Sequence, residues 1–169
     1  MTGKFDIKTY VGAGHLRFGM NQAKVEQLIG TAARQKKGFS GGATEYRRDN
    51  GLLTTYDSGT NELVEIGFSR NILELEYGDI KIFAEPPKEV FKNLANLDGN
   101  PYESVGFIVL LKLGITLTGF HDDDINQKAV TAFTRGRWDD FMQDLKPFNL
   151  TNFQISQVPP KHGGTLKNF

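Results

Sequence analysis

Residues 51–70, GLLTTYDSGTNELVEIGFSR, contain the pattern from which the fold of this chain can be predicted. Strand-forming side chains lie on both sides of a cluster of turn-forming residues, DSGTN, so the stretch predicts a β-hairpin. Residues 114–135, GITLTGFHDDDINQKAVTAFTR, have the same outline: a strand, an Asp- and Asn-rich turn, and a strand that ends in an aromatic, a hydroxyl and an arginine side chain. We therefore predict that the chain contains this unit twice.

The two stretches match at a constant spacing of about 65 residues, which is within the range of structural repeats. The matching pairs are Leu52 with Leu117, Asp57 with Asp122, and Phe68 with Phe133. The same spacing places Val25 on Val90, each in a helix-like segment that precedes its hairpin. The pattern predicts duplication of a helix-plus-hairpin unit, and chance similarity between two amphipathic hairpins is the alternative.

Helix signals precede each hairpin. Asn21 is a suitable N-cap for a helix that Gly30 ends, and Pro86 with Pro87 suits the first turn of a second helix. A third helix is predicted over 136–148, GRWDDFMQDLKPF, because Trp138, Phe141 and Leu145 fall on one helical face. Residues 31–43 are polar and glycine-rich and predict a loop. Further strands are predicted at 44–48, 52–57, 63–69, 72–77 and 80–84, two between 104 and 120, and one at 128–135.

These elements predict an α+β fold, in which an antiparallel sheet carries helices on one face and is built from two helix-plus-hairpin repeats that share one core. The predicted divisions are an extended lead-in at 1–14, a first repeat at 15–84, a second repeat with a C-terminal helix at 85–148, and a polar, partly ordered tail at 149–169. The other face of the sheet is expected to be open to solvent or to a partner.

Composition narrows the classes of function. Twenty basic and 20 acidic residues give no net charge, so no overall field attracts nucleic acid or an anionic membrane. Cysteine is absent, which excludes disulfides and thiolate metal sites. No segment has the apolar length of a membrane span, and residues 1–14 lack a signal-length apolar run. We expect a cytoplasmic protein that binds neither membrane nor nucleic acid.

Three local patterns have a functional and a structural interpretation. His121 followed by Asp122, Asp123 and Asp124 has oxygen ligands for a hard cation, but the spacing differs from that of an EF-hand and also suits a solvated turn. A basic stretch interleaved with Tyr46 is typical of nucleic-acid readers and of ordinary surfaces. Its cations are Arg34, Lys36, Lys37, Arg47 and Arg48. Trp138, which follows Arg135 and Arg137, suits an interface hot spot or a core anchor.

The segment FGMNQAKVEQLIG at 18–30, followed by LTTYDSGTNELVEIGF at 53–68, is similar to a recurring bacterial module. It resembles the helix-and-sheet repeat of the small outer-membrane assembly lipoproteins and of the β-lactamase inhibitory proteins, and several immunity proteins that neutralise toxins. The resemblance covers about residues 15–146. This chain lacks the cysteines of the lipoproteins and of the secreted inhibitors, which leaves the cytoplasmic immunity proteins as the nearest resemblance. No functional residue of these families matches a position here.

The resemblance and the lack of a catalytic motif predict a non-enzymatic inhibitor, without a cofactor, that binds a cognate protein toxin and occludes its active site. It would be a monomer or a homodimer. The alternatives are a small-molecule or lipid-binding module and a metal-assisted hydrolase that uses His121. The predicted partner-binding residues are Tyr56, Glu65, Glu74, Glu76, Asp122, Asp123, Asp124 and Trp138.

Overall fold

The computed structural model describes residues 4–38, 41–72, 74–122 and 124–156. The strands in these residues are β1 (Phe5–Lys8), β2 (Gly12–Ala13), β3 (Leu16–Arg17), β4 (Arg34–Lys37), β5 (Ala43–Arg47), β6 (Leu52–Tyr56), β7 (Leu63–Ser69), β8 (Leu75–Tyr77), β9 (Ile80–Lys81), β10 (Tyr102–Ser104), β11 (Phe107–Leu110), β12 (Ile115–Thr118), β13 (Ala129–Phe133) and β14 (Lys146–Pro147). The helices are α1 (Gln22–Ile29), α2 (Pro87–Asp98) and α3 (Leu150–Ser156), with 3₁₀ helices at Ile125–Gln127 and Asp139–Asp144.

Two sheets organise these strands. A nine-stranded antiparallel sheet has the order β14-β10-β11-β12-β13-β7-β6-β5-β4. A five-stranded sheet has the order β3-β2-β1-β8-β9, and β1 and β8 in it are parallel. The predicted α+β class with mainly antiparallel strands is confirmed.

The hairpin of β6 and β7 forms because its apolar and polar side chains alternate along each strand. In β6 and β7, Leu52, Ile66 and Phe68 point to one face of the sheet and are buried, while Glu65 points to the other. Asp57 fixes the turn between the two strands, since its Oδ2 accepts the backbone N–H groups of Gly59 and Thr60 at 2.9 Å each. These bonds favour the ionised form and lower the pKa of the exposed Asp57 carboxyl.

The first two helices begin and end near the predicted residues. Asn21 caps α1, because its Oδ1 accepts the N–H of Lys24 at 2.9 Å. Pro87 occupies the first turn of α2, and Gly99 ends that helix with a left-handed φ of 80°.

The nine-stranded sheet has two unlike faces. The first face, which carries Leu52 and Phe68, packs into the main core together with Val25 of α1 and Phe91 of α2. The second face, which carries Glu65 and Thr55, bears a smaller apolar cluster. That cluster consists of Val109, Phe133 and Leu145, with Tyr10, Tyr102, Phe107, Leu111 and Trp138 packed against it.

Several predicted segments were wrong. The loop predicted at 31–43 contains β4, whose four exposed polar residues have no apolar alternation that would reveal a strand. The helix predicted over 136–148 is replaced by a 3₁₀ helix and β14, since Trp138 precedes the helical turns and packs on the second face of the sheet. The predicted tail begins with α3, because Phe153 packs on Phe91 with ring centroids 4.8 Å apart. Residues 157–169 of that tail lie outside the described residues.

Two of the predicted strands are shorter than expected. The strand predicted at 72–77 is limited to β8, and the one predicted at 80–84 to β9. The apolar residues Ile82 and Phe83 follow β9 and are buried in the core outside any strand. Their apolar character therefore reflects burial and not strand pairing.

The strand order bears on the predicted duplication. Each of the first two helices is followed by a four-stranded meander, β4 to β7 after α1 and β10 to β13 after α2, and the last strands of the two meanders pair. The match of Phe68 with Phe133 fails, however. Phe68 lies opposite Val130 on the first face, whereas Phe133 lies opposite Glu65 on the second. A one-residue difference in spacing moves a side chain to the other face. The duplication itself stays a prediction.

Candidate functional site

A cleft of about 1000 Å³ opens on the second face of the nine-stranded sheet. Its lining comes from β5, β6 and β7, from Gly38 directly after β4, from the β10–β11 hairpin and from the segment around the 3₁₀ helix Asp139–Asp144. The lining residues are Gly38, Thr44, Thr55, Glu65, Glu103, Ser104, Val105, Gly106, Phe107, Arg137, Trp138, Phe141, Asp144 and Lys146.

Curvature of the sheet creates the cleft. Thr44 on β5 and Phe107 on β11 both line the cleft, although four other strands lie between β5 and β11 in the sheet. In a flat sheet these two strands would be about 24 Å apart, at roughly 4.8 Å per strand. The sheet must therefore curve around its second face, which makes that face concave.

Paired polar groups form one part of the lining. The Thr44 and Thr55 hydroxyl oxygens are 3.0 Å apart across β5 and β6. Arg137 Nε donates to Glu65 Oε1 at 2.8 Å and so connects the segment after β13 to β7. The carboxylate and the guanidinium neutralise one another inside the cleft.

Aromatic side chains form the opposite wall. The Trp138 ring packs edge-on against Phe107 at a centroid distance of 5.9 Å, and against Phe141 at 6.0 Å. On its other side it contacts Phe133 at 6.3 Å. Gly136 allows the chain to turn back over the sheet at this point, since its φ is 83°. Trp138 is thus half-buried, and Phe141 is 36% exposed.

The tip of the β10–β11 hairpin stands at the rim. Val105 has a φ of 47° and Gly106 a φ of 87°, as in a type I′ turn, in which Asn-Gly is the favoured pair. A β-branched residue in this left-handed region is an outlier. The Val105 side chain is also 94% exposed, so neither backbone preference nor burial accounts for a valine here.

The ionisable side chains of the cleft are paired or exposed, so the cleft is suited to binding a ligand by complementary shape. Glu65 is already paired with Arg137, and the other acidic residues in the lining, Glu103 and Asp144, are exposed. No group of three or more His, Asp or Glu side chains placed to hold a metal occurs within 4–38, 41–72, 74–122 and 124–156. The arrangement offers apolar contact beside hydrogen-bonding groups.

Among the predicted partner-binding residues that the structure describes, Glu65 and Trp138 line the cleft and the others do not. Glu76 belongs to the five-stranded sheet, where its carboxylate pairs with Lys4 at 2.9 Å, and Glu74 is exposed beside it. Asp122 and Asp124 are exposed in the loop between β12 and β13. Asp123 lies outside the described residues. The binding role of these residues stays a prediction.

Tyr56 requires a correction, because it is fully buried and presents no surface to a partner. Its hydroxyl donates to Glu45 Oε2 at 3.0 Å. The same carboxylate accepts from Arg47 Nη2 at 2.8 Å, and Arg47 Nη1 donates to Thr54 at 2.8 Å. Burial, the main cause, raises the pKa of Tyr56 to about 12. We call Glu45, Arg47, Thr54 and Tyr56 the buried polar network.

Structural contacts account for parts of the two other local patterns. His121 packs against Phe91 and Phe148 with centroid distances of 5.8 Å to each, and Asp122 accepts the backbone N–H of Asp124 at 3.2 Å, as expected of a turn. Arg47 does not contribute to a basic surface, because it is buried in an ion pair with Glu45. Arg34 lies over the Tyr46 ring at 4.6 Å from its centroid.

Sequence reasoning missed the rim of the cleft. The first of the two strands predicted between 104 and 120 includes Val105 and Gly106, whereas these residues form the tip of a hairpin and β11 begins at Phe107. Gly106 was the available signal, since an isolated glycine inside a strand pattern indicates an irregularity such as a bulge.

None of the helices in the described parts of the chain is both long and apolar enough to span a bilayer. Comparison with known proteins finds no matching family, no matching curated protein and no matching solved structure.

Proposed function

We propose that this protein is a non-enzymatic binding protein that uses the cleft to grip a protein partner, and that it inhibits a cognate toxin by occluding the toxin's active site. The observation that carries the proposal is the exposed, left-handed Val105 at the rim beside the aromatic wall of Trp138. Strained residues that persist without a structural reason occur preferentially at binding sites.

The exposed apolar groups favour a protein as the ligand. Val105 and Phe141 line the cleft, and Met142, next to Phe141, is 45% exposed. Contiguous apolar surface rimmed by polar residues is typical of protein-binding sites. Trp is enriched among the residues that dominate binding energy, and a half-buried Trp138 loses little side-chain entropy on binding.

The polar groups that line the cleft would make the binding of a partner specific. The ion pair of Arg137 with Glu65 and the hydroxyl pair of Thr44 with Thr55 present hydrogen-bonding groups in defined positions. A partner must complement them or lose affinity. A stable protein complex buries about 1,600 Å² in total. We therefore expect the partner to cover the rim of the cleft as well as its interior.

A small-molecule or lipid-binding module is the second candidate, and the size of the cleft supports it. A volume of about 1000 Å³ is at the upper end of the range for ligand pockets, and the lining is mainly apolar. Native mass spectrometry distinguishes the candidates, because a bound ligand adds a defined mass to the purified protein.

The decisive experiment co-expresses the chain with the product of the neighbouring reading frame and measures retention and toxicity. We expect a stable complex and protection of the host cell. Val105→Asp should weaken the complex ten- to a hundredfold, because it places a charge on the apolar rim. Aspartate tolerates the left-handed conformation, so this variant should fold.

The matched control is Leu97→Asp, which changes another exposed apolar residue, 51% exposed on α2 and away from the cleft. It should change the affinity by less than about twofold. The proposal fails if no neighbour is retained and none is toxic alone, or if the two variants weaken binding equally.

A further inference from the structure

The two edge strands of the nine-stranded sheet differ in the backbone hydrogen-bonding groups that another strand could pair with. At one end, β14 has two residues and one of them is Pro147, which has no N–H to donate. At the other end, β4 has four residues that pair with β5 on one side only, within the described part of the chain. Along its outer side, alternate residues direct their N–H and C=O groups away from the sheet.

The side chains of β4 are strongly basic. Three of its four residues, Arg34, Lys36 and Lys37, are cations, and all four residues are exposed. Within the described residues, no carboxylate lies at ion-pair distance from Lys36 or Lys37. The charge on this edge is therefore available to a partner.

Lysine on an edge strand discourages pairing with other strands, and repulsion between like charges excludes a second copy of β4 in particular. An acidic strand has the opposite preference, because cross-strand pairs of opposite charge stabilise a sheet. The edge therefore selects by charge among the strands that could add to it.

We propose that β4 binds an extended acidic segment of the partner protein, which adds to the sheet as a further strand. This inference rests on the proposed function and identifies the chemistry of the partner. Backbone hydrogen bonds would supply affinity, and the pairing of carboxylates with Lys36 and Lys37 would supply selectivity.

The edge and the cleft form a continuous surface. Lys36 lies opposite Thr44, which lines the cleft, and Gly38, directly after β4, lines it too. A strand added to β4 would run along the rim of the cleft and could continue into it. One partner segment can thus engage both features.

The test uses nuclear magnetic resonance titration of the full chain with a short peptide of threonine, valine and adjacent pairs of glutamates. Such pairs would place carboxylates on both faces of the sheet, since Lys36 and Lys37 lie on opposite faces. We expect shift changes centred on 34–37 and 43–47, and slower hydrogen exchange of the β4 amides that point outward. A peptide with lysine for glutamate should not bind. A peptide with two adjacent central prolines keeps the charge and removes an N–H from each edge, so it should not bind either.

The variant Lys36→Glu with Lys37→Glu should weaken peptide binding at least tenfold. The control, Lys24→Glu with Lys92→Glu, makes the same change of charge on α1 and α2, where both lysines are exposed, and should weaken it less than about twofold. Equal binding of the proline peptide would show attraction without strand addition. Preferential binding of a single-stranded RNA, or no binding at millimolar peptide, would likewise overturn the inference.

Failure of this inference differs from failure of the proposed function. If the Lys36 and Lys37 variant keeps the toxin complex while Val105→Asp loses it, the inhibitor proposal stands and the edge proposal falls. If the acidic peptide adds to β4 but no toxin is retained, the edge proposal stands and the inhibitor proposal falls.

Discussion

At the scale of single residues, Val105 and Tyr56 each have an environment that their side chains do not favour. Val105 keeps a left-handed backbone with a side chain that favours extended conformations and gains no burial in return. Tyr56 is buried with its hydroxyl against a carboxylate, which raises its pKa. Val105 therefore has no structural compensation for its backbone conformation, whereas Tyr56 gains a hydrogen bond inside the core.

Replacing Val105 with asparagine should stabilise the protein. Asparagine suits the first central position of a type I′ turn, and relief of the left-handed strain should raise the free energy of unfolding by about 1 kcal/mol. Urea denaturation measures the change. Val11→Asn, at another exposed valine whose φ is not positive, should shift it by no more than about 0.5 kcal/mol. A destabilised Val105→Asn protein would contradict the strain argument.

Tyr56→Phe should destabilise the protein by about 1–2 kcal/mol at neutral pH, since a hydrogen bond to a buried carboxylate is lost. The pKa of Tyr56 rises from 10.0 to about 12 on folding, so the folded state holds the phenolic proton more tightly. Its contribution is complete below pH 10 and is lost as the pH rises towards 12. Across that interval the wild type should lose about 2–3 kcal/mol relative to Tyr56→Phe. The unfolding free energy of both proteins is measured at several alkaline pH values. If it falls equally with pH in the two proteins, the raised pKa of Tyr56 does not contribute to stability.

At the scale of elements, the buried polar network joins three parts of the fold. Glu45 and Arg47 lie on β5, Thr54 and Tyr56 on β6, and Arg47 Nε donates to the carbonyl of Gly30 at the end of α1 at 2.8 Å. The network therefore positions α1 on the sheet. A buried ion pair contributes little net stability compared with apolar packing, but its directional bonds restrict how α1 can dock.

Arg47→Met should cost about 3–5 kcal/mol, because it leaves the Glu45 carboxylate buried without its cation. Combining it with Glu45→Gln removes that charge, and the double variant should be more stable than Arg47→Met alone. Chemical denaturation of the three variants and the wild type gives the coupling energy. If the two single losses simply add in the double variant, the ion pair makes no contribution of its own.

Elements with a clear apolar alternation could be predicted from the sequence, and those without it could not. The β6–β7 hairpin and α2 carry their apolar residues at the periods of a strand and a helix. Within β4, RQKK has no apolar residue at all, and only pairing with β5 makes it a strand. Around Trp138 the apolar spacing was helical, but the aromatic ring packs on Phe133 and Phe107 and holds the segment across the sheet.

At the scale of the whole molecule, one sheet contains both halves of the chain. β7 and β13 pair through five residue pairs at its centre, and residues from both halves share the main core. Residues of β5 and β11, one strand from each half, line the same cleft together with the segment around Trp138. Neither half contains the complete cleft.

The two halves should therefore unfold together. Trp138, the only tryptophan, reports on the second half by fluorescence, and hydrogen exchange in β5 and β6 reports on the first. Both should give the same unfolding free energy. Phe68→Ala, a core truncation in the first half, should lower both values by the same amount, about 3–5 kcal/mol. Two separate transitions, or an effect on the first half alone, would show independent units.

The sequence by itself determined the α+β class, the first two helices and the central hairpins, since these depend on local periodicity, caps and turn residues. It also placed Glu65 and Trp138 among the candidate contacts, without indicating that they would lie in one cleft. Only the tertiary structure decided the burial of Tyr56, the edge position of β4 and the exposure of Val105 at the rim of the cleft. Those properties depend on how strands distant in sequence pair and curve, which no local pattern encodes.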